Sequence, residues 1–212
     1  NNTDCDDTNP LLNPTNPCIT GGGTVNLTMF IQGYYTGSST MTSVMLTQGA
    51  SVEADEVENM TIELRDTTTG AVVESTTAML HTDGALSAVF TTAAAGSYYI
   101  AVKGRNIVET WSAAPQSFGP VALNYDFSSS ASQAYGDNMA EVEPGVYGFF
   151  SGEFNGDGFI EFTDYTFWET DSNNFAEGDF ATDLNGDGFV EFTDYTIWET
   201  NSNNFVGAFL PF

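Results

Sequence analysis

Residues 153–175 read EFNGDGFIEFTDYTFWETDSNNF, and residues 183–205 read DLNGDGFVEFTDYTIWETNSNNF. The second stretch repeats the first at an offset of 30 residues, and only five of the 23 aligned positions differ. Each copy begins with an Asx-Gly loop and continues into Tyr-Thr-x-Trp-Glu, a segment that favours a short helix. The sequence therefore predicts two equivalent loop-helix units, one after the other.

Oxygen-bearing side chains alternate along each loop, with glycine at the sixth position and a carboxylate at the twelfth. This spacing lets the side chains converge on one hard cation, because glycine permits the sharp turn between them. The predicted ligands are Glu153, Asn155, Asp157, the Phe159 carbonyl, Glu161 and Asp164 in the first loop, and Asp183, Asn185, Asp187, the Phe189 carbonyl, Glu191 and Asp194 in the second. We therefore expect two Ca²⁺ ions.

The eighth position of each loop is apolar, Ile160 in the first and Val190 in the second. Paired calcium loops of the EF-hand type are joined through a short β-bridge at this position, so the pattern predicts a bridge between these two residues. Glu153 opens the first loop where the shorter Asp is usual, and the first site is therefore expected to be the looser one.

The duplicated Asp-x-Asn-x-Asp-Gly loop, closed by Asp and lacking a preceding helix, resembles a dockerin-type tandem over residues 151–205. The resemblance implies calcium binding and docking onto a cohesin-like scaffold domain. Two features depart from the family. Phe162-Thr163 and Phe192-Thr193 replace the small hydroxyl pair at positions 10 and 11, and the helices that follow are acidic and aromatic. The calcium ligands carry over, whereas the cohesin-contacting pattern does not.

The N-terminal segment contains two cysteines among several acidic residues. Cys5 and Cys18 are predicted to form a disulfide, as in exported proteins, with two free thiols as the alternative. Asp4, Asp6 and Asp7 resemble the Asp-Cys-Asp-Asp segment of thrombospondin-type-3-like repeats in secreted bacterial proteins, and this resemblance implies a third Ca²⁺ site. A proline-rich acidic linker without metal explains the same residues equally well.

Between residues 24 and 127, apolar and polar residues alternate in short runs, as they do in strands with one buried face. The runs are Val25, Leu27, Met29 and Ile31; Met60, Ile62 and Leu64; Tyr98, Ile100 and Val102; Val121, Leu123, Tyr125 and Phe127; with further strand candidates at 41–47, 71–80, 86–91 and 107–112. Seven or eight such strands predict a mainly β fold, an antiparallel Ig-like β-sandwich followed by the small dockerin-like tandem.

The whole chain is accordingly divided into five parts. They are a Cys-stapled segment (1–23), the β-sandwich (24–127), a packed apolar connector (128–150), the calcium-binding tandem (151–205) and an apolar tail (206–212).

The charge of the chain excludes two classes of partner. Its 212 residues include 3 Lys or Arg and 29 Asp or Glu, giving a net charge of −26. Such a chain has no basic surface to bind nucleic acid or an anionic membrane surface. No apolar run approaches the length of about 20 residues that membrane insertion requires. Residues 151–212 hold 13 acidic and no basic residues, a concentration that divalent cations would explain.

The sequence carries no recognisable catalytic constellation. His81 is the only histidine, so neither a Ser-His-Asp triad nor a zinc site is indicated. We predict a non-enzymatic, extracellular protein of a bacterial surface, stabilised by calcium and assembling with copies of itself into a filament or surface layer through its termini, the Pro-rich head and the apolar tail at 203–212. Packing of that tail on its own chain is the competing interpretation. The alternative function is a recognition module for a cohesin-like domain or a glycan.

Overall fold

The computed structural model describes residues 21–212. The predicted Cys5–Cys18 disulfide and the predicted ligands Asp4, Asp6 and Asp7 lie outside the described residues. Within the described part the chain is mainly β, as the alternating pattern predicts.

Twelve strands, three α-helices and two short 3-10 turns make up residues 21–212. The strands are β1 (Gly23–Thr28), β2 (Tyr35–Gly37), β3 (Thr40–Met41), β4 (Glu56–Asp66), β5 (Val72–His81), β6 (Ala85–Phe90), β7 (Gly96–Lys103), β8 (Thr110–Trp111), β9 (Gln116–Phe118), β10 (Leu123–Asp126), β11 (Ala140–Glu143) and β12 (Val146–Gly148). The helices are α1 (Val44–Thr47), α2 (Phe162–Asn173) and α3 (Phe192–Asn203), and the 3-10 turns are Ala131–Gln133 and Tyr135–Asp137.

Eight of these strands form one sheet in the order β10-β1-β6-β5-β4-β7-β8, with β9 also paired to β7. The sheet curls until β9 and β10, from its two ends, come into contact. The predicted antiparallel arrangement is wrong at one place, because β1 and β10 run parallel with Val25 opposite Leu123. Strand β6 already pairs with one side of β1, so the chain returns to its other, free side at β10.

The core lies inside the curl and is formed by the apolar face of each strand. Met60, Ile62 and Leu64 of β4 are fully buried, as their period of two predicts. Ile100 and Val102 of β7 pair with the same strand and are buried against them. The alternation in the sequence therefore identifies the buried face of the central strands.

The predicted strand at 41–47 is wrong, because only its first residue belongs to a strand and Val44–Thr47 form one helical turn. The N–H of Gln48 donates to the carbonyl of Val44 at 2.8 Å. Gly49 then ends the turn with φ of 76°, a left-handed conformation that glycine adopts at little cost. The turn buries Val44 and brings Gln48 to the second loop of the repeat.

The connector at 128–150 packs against the sheet body, as its apolar composition predicts. Phe149 is fully buried in the main core, and Met139 is nearly so. The N–H of Phe149 donates to the carbonyl of Phe30 at 2.8 Å, and its own carbonyl accepts from the N–H of Gln32 at 2.9 Å. These bonds fix the entry of the chain into the repeat.

Hydrogen bonds join residues 151–205 to the sheet body. The Ser151 hydroxyl accepts from the N–H of Gly33 at 3.0 Å. Asn201 of α3 donates to the Ser151 carbonyl and to the side chain of Gln32, both at 2.7 Å. These polar groups join the repeat to loops of the sheet, and a small dockerin-like domain that follows the sandwich is not shown.

The carboxylate of Glu74 on β5 holds the loop that follows β6. It accepts hydrogen bonds from the N–H groups of Thr91, Thr92 and Ala93. Slight burial raises the pKa of Glu74, but these bonds to the charged form outweigh it and lower the pKa to about 2. The stabilisation is complete above the usual pKa of 4.5 and is lost as the pH falls towards 2.

We expect Glu74→Gln to be less stable than the wild type at neutral pH, with the difference shrinking as the pH falls from about 4.5 to about 2. Urea unfolding of both proteins across this range measures it. A difference that stays constant with pH would contradict the assignment.

Candidate functional site

The second loop of the repeat closes around the carboxylate of Asp183, which is fully buried. Its oxygens accept hydrogen bonds from the N–H groups of Gly186 and Gly188, both at 2.8 Å. The side-chain amide of Gln48 donates a further bond at 2.8 Å. Burial raises the pKa of Asp183, and these bonds oppose the shift. The carboxylate is thus positioned by neutral donors.

Asp194, at the twelfth position, is also fully buried. It accepts from the N–H of Leu184 at 2.7 Å, of Glu191 at 2.8 Å and of Asn185 at 3.1 Å. Burial is the main cause that raises the pKa of Asp194 to about 7, and the charge of Asp183 adds to it. Two buried carboxylates in one loop repel each other, and a bound cation would stabilise their charged forms.

The first loop repeats this arrangement less deeply. Asp164 is fully buried and accepts from the N–H of Phe154 at 2.8 Å and of Glu161 at 2.9 Å. Glu153 is largely buried and accepts from the N–H of Gly156. Burial raises the pKa of both carboxyl groups. The longer Glu153 side chain therefore occupies the same place in its loop as Asp183.

The remaining predicted ligands lie at the mouths of the loops. Asn185 accepts from the N–H of Asp187 at 2.8 Å, and Asp187 from the N–H of Phe189 at 3.0 Å. Asn155, Asp157 and Phe159 do the same in the first loop, and Glu161 and Glu191 are exposed at the starts of α2 and α3. Across residues 21–212, no three Asp, Glu, His or Cys side chains gather into a ready-made metal cluster. Calcium binding therefore stays a prediction.

The predicted bridge between the two loops is wrong. The N–H of Ile160 donates to the carbonyl of Val206 at 2.9 Å, and the N–H of Val190 donates to the carbonyl of Ala176 at 3.0 Å. The segment after α2 thus pairs with the second loop, and the segment after α3 pairs with the first. Because each loop finds its partner strand there, the loops do not pair with each other.

A buried polar network connects the second loop to the sheet. Arg105, just after β7, lies with its Nε 2.6 Å from a carboxylate oxygen of Glu58 on β4. Its Nη2 donates to the Gln48 side-chain oxygen at 2.7 Å, while its Nη1 pairs with Asp179. Since Gln48 also donates to Asp183, a continuous chain runs from the sheet to the loop. Sequence reasoning missed Gln48 and Arg105, because neither belongs to the loop motif.

An aromatic cluster lies on the surface between α2 and α3. Phe162 stacks on Tyr165 with ring centres 5.7 Å apart, and the equivalent pair from α3 has the same separation. Across the helices, Tyr165 lies 5.4 Å from Trp198 and Trp168 lies 5.1 Å from Tyr195. The rings line a groove of about 490 Å³, which we call the aromatic groove: Phe162, Tyr165, Trp168, Phe192, Tyr195 and Trp198.

Hydrogen bonds fix the two indoles of the aromatic groove, and its outer edges are open. The indole N–H of Trp168 donates to the carbonyl of Glu191 at 3.1 Å, and that of Trp198 donates to the carbonyl of Glu161 at 3.2 Å. Each indole thus fixes the opposite loop. At the edges, Phe162 and Phe192 are 69% and 68% exposed. The signal that sequence reasoning missed was the spacing of three between the aromatic residues of each helix.

Two further exposed phenylalanines follow the helices. Phe175 and Phe205 are 85% and 91% exposed, and their φ angles are 52° and 54°. This left-handed conformation usually takes Gly or Asn after a helix, and it costs other residues about 1–2 kcal/mol. Their large rings therefore contribute little to the stability of this chain.

The C-terminal tail packs on its own chain. Asn138 donates to the carbonyl of Gly207 at 3.0 Å. The ring of Phe212 lies 6.1 Å from Tyr99 and 6.2 Å from Trp111. The tail thus packs on its own chain, as the competing interpretation predicts, and self-association stays a prediction. Residues 21–212 contain no helix with the length and apolar character needed to cross a membrane.

Comparisons with known proteins give a weak structural likeness. No protein-family model and no curated protein matches the chain. Two crystal structures, a C-terminal and an N-terminal interface mutant of the type II cohesin-X-dockerin complex from Acetivibrio cellulolyticus, share 17% and 18% identity with it. They cover 85% and 87% of this chain and 95% and 97% of the matched chains, each with a TM-score of 0.48. At these values the likeness carries no argument about function.

The resemblance of residues 151–205 to a dockerin is wrong. No family model recognises the repeat, and the described chain that contains it is mainly β. The N-terminal resemblance to thrombospondin-type-3-like repeats likewise finds no matching family model. The duplicated loop motif and the helices after it led to the dockerin assignment.

The network around Arg105 yields a stability prediction. We expect Arg105→Met to lower the free energy of unfolding by about 2–3 kcal/mol, because it leaves the buried Glu58 carboxylate without its charged partner. Lys103→Met is the matched control, since Lys103 is more exposed and its pairs with Glu63 and Glu109 are worth about 1 kcal/mol or less. Denaturant unfolding of both variants measures the difference. Equal losses would contradict the assigned role of the network.

The two phenylalanines with a left-handed backbone conformation yield a second prediction. Phe205→Asn should leave the stability unchanged or raise it by up to about 1 kcal/mol, because Asn tolerates this conformation and the exposed ring buries little surface. Thermal unfolding of the variant tests it. A clear loss of stability would mean that the Phe205 ring packs in solution.

Proposed function

We propose that this protein is a non-catalytic, extracellular recognition module that binds its partner through the aromatic groove. The observation that supports the proposal is the exposure of Phe162 and Phe192 above rings fixed by indole hydrogen bonds. Exposed aromatic side chains on a rigid base bury much surface on binding at a low cost in conformational entropy.

Calcium would stabilise the base of this module. The loop oxygens are hard ligands of the type that Ca²⁺ prefers, and the pKa values of the four buried carboxyl groups are raised by burial. In each loop the predicted set would hold one ion: Glu153, Asn155, Asp157, the Phe159 carbonyl, Glu161 and Asp164, or their equivalents 30 residues later. The ion would neutralise carboxylates that otherwise repel each other.

Self-assembly into a filament or surface layer is the second candidate function. It is favoured by the number of exposed phenylalanines in and after the repeat: Phe159, Phe162, Phe167, Phe175, Phe189, Phe192, Phe205, Phe209 and Phe212. Exposed apolar surface of this extent would be covered by copies of the chain as readily as by another partner. Light scattering at high protein concentration, with and without Ca²⁺, distinguishes the two candidate functions. A protein that stays monomeric under both conditions would rule out self-assembly.

The recognition function is tested with two double variants. Phe162→Ser/Phe192→Ser removes the exposed edges of the aromatic groove, and Phe175→Ser/Phe205→Ser removes equally exposed rings outside it. We expect the first variant, and not the second, to lose binding to surface fractions of the producing cells in a sedimentation assay. Equal binding by all three proteins would overturn the proposal.

The calcium prediction is tested by calorimetry. The wild type should bind two Ca²⁺ ions, and Asp157→Ala or Asp187→Ala should each remove one, with a larger loss of thermal stability for Asp187→Ala because its loop is tied to the sheet through Gln48. Glu53→Gln, which removes an exposed charge outside the loops, is the control. Fewer than two sites in the wild type, or equal effects of Glu53→Gln and Asp187→Ala, would refute the assignment.

A further inference from the structure

We propose that the aromatic groove accepts a basic protein segment whose Lys or Arg side chains lie over its rings. This inference rests on the proposed function and names the chemistry of the partner. It follows from three observations: the charge around the aromatic groove, the hydrogen-bonding state of its polar atoms and the engagement of the chain's own cations.

The surroundings of the aromatic groove are acidic. Glu161 and Glu191 are exposed at the starts of α2 and α3, beside the outer phenylalanines. Glu169 and Glu199 accept hydrogen bonds from the hydroxyls of Tyr165 and Tyr195 at 2.9 and 2.7 Å. Residues 151–212 contain no Lys or Arg. An incoming cation therefore meets aromatic faces and carboxylates together, which is the environment that attracts it.

The polar atoms of the aromatic groove are acceptors with few free donors. Both indole N–H groups donate to backbone carbonyls, and both tyrosine hydroxyls donate to carboxylates. Each hydroxyl group of a sugar both donates and accepts hydrogen bonds, whereas Lys and Arg side chains only donate them. The hydrogen bonds in the aromatic groove thus favour a basic segment over a glycan.

The chain's own cations are engaged elsewhere. Arg65 pairs with Glu63 and lies 5.0 Å from the centre of the Trp111 ring, and Lys103 pairs with Glu63 and Glu109. Arg105 lies within the network to the second loop. These are the only three Lys or Arg residues of the sequence. A second copy of this chain consequently offers no free cation to the aromatic groove, and the partner is a different, basic protein.

The test uses an amidated hexalysine peptide as the probe and cellohexaose as the glycan comparison, each titrated into the intact protein and followed by calorimetry and tryptophan fluorescence. We expect hexalysine to bind and Phe162→Ser/Phe192→Ser to weaken it at least about fivefold. Phe175→Ser/Phe205→Ser, with the same chemical change outside the aromatic groove, should leave the affinity unchanged.

A second pair of variants separates a specific site from general attraction to an acidic protein. Glu169→Gln/Glu199→Gln removes two charges at the aromatic groove, and Glu53→Gln/Glu141→Gln removes two exposed charges outside the repeat. The first pair should weaken hexalysine binding more than the second, at moderate salt where long-range attraction is screened. Equal weakening by both pairs, together with no effect of Phe162→Ser/Phe192→Ser, would overturn the proposal.

Two other outcomes also overturn it and identify the alternative. Cellohexaose binding that depends on Phe162 and Phe192 would assign the aromatic groove to a glycan, and a dimer that depends on them would assign it to a second copy. The experiments distinguish failure of this inference from failure of the proposed recognition function. If the Phe162→Ser/Phe192→Ser variant still loses binding to the cell-surface fractions while hexalysine does not bind the wild type, the recognition function stands and the basic partner is wrong.

Discussion

The exchanged backbone pairing of the repeat is the constraint on which the rest of the C-terminal structure depends. Ile160 donates to Val206 and Val190 donates to Ala176, so each loop is closed by the segment that follows the other unit's helix. Neither unit can complete its loop alone, because a loop without its partner strand would leave buried backbone groups unpaired. The exchange brings α2 and α3 side by side and thereby creates the aromatic groove between them.

The two equivalent units have different surroundings, because they contact different parts of the chain. The second loop lies against α1 and is tied through Gln48 to Arg105, whereas the first is closed by the C-terminal segment of the chain. A duplicated sequence therefore produces one loop supported by the sheet and one supported by the tail. The charge network around Arg105 is structural, while the open face of the repeat is free to serve recognition.

Phe162, Phe192, Phe175 and Phe205 show where the chain departs from what its own stability requires. They are exposed, and two of them occupy left-handed backbone conformations that other residues would occupy at lower cost. Large exposed apolar groups are typical of binding surfaces, and the proposed function uses Phe162 and Phe192, at the aromatic groove, and not Phe175 and Phe205. The acidic surroundings of the aromatic groove support the basic partner that we propose for it.

The sequence by itself determined the mainly β class, the buried faces of β4 and β7, the duplicated loops and the charge, because these follow from local periodicity and composition. It led to a wrong bridge between Ile160 and Val190 and to a wrong dockerin resemblance, because a loop motif does not specify its pairing partner. Only the tertiary structure decided the parallel pairing of β1 with β10, the exchange between the units, the Arg105 network and the aromatic groove. Each of these joins residues distant in sequence, and their contacts depend on how the whole chain packs.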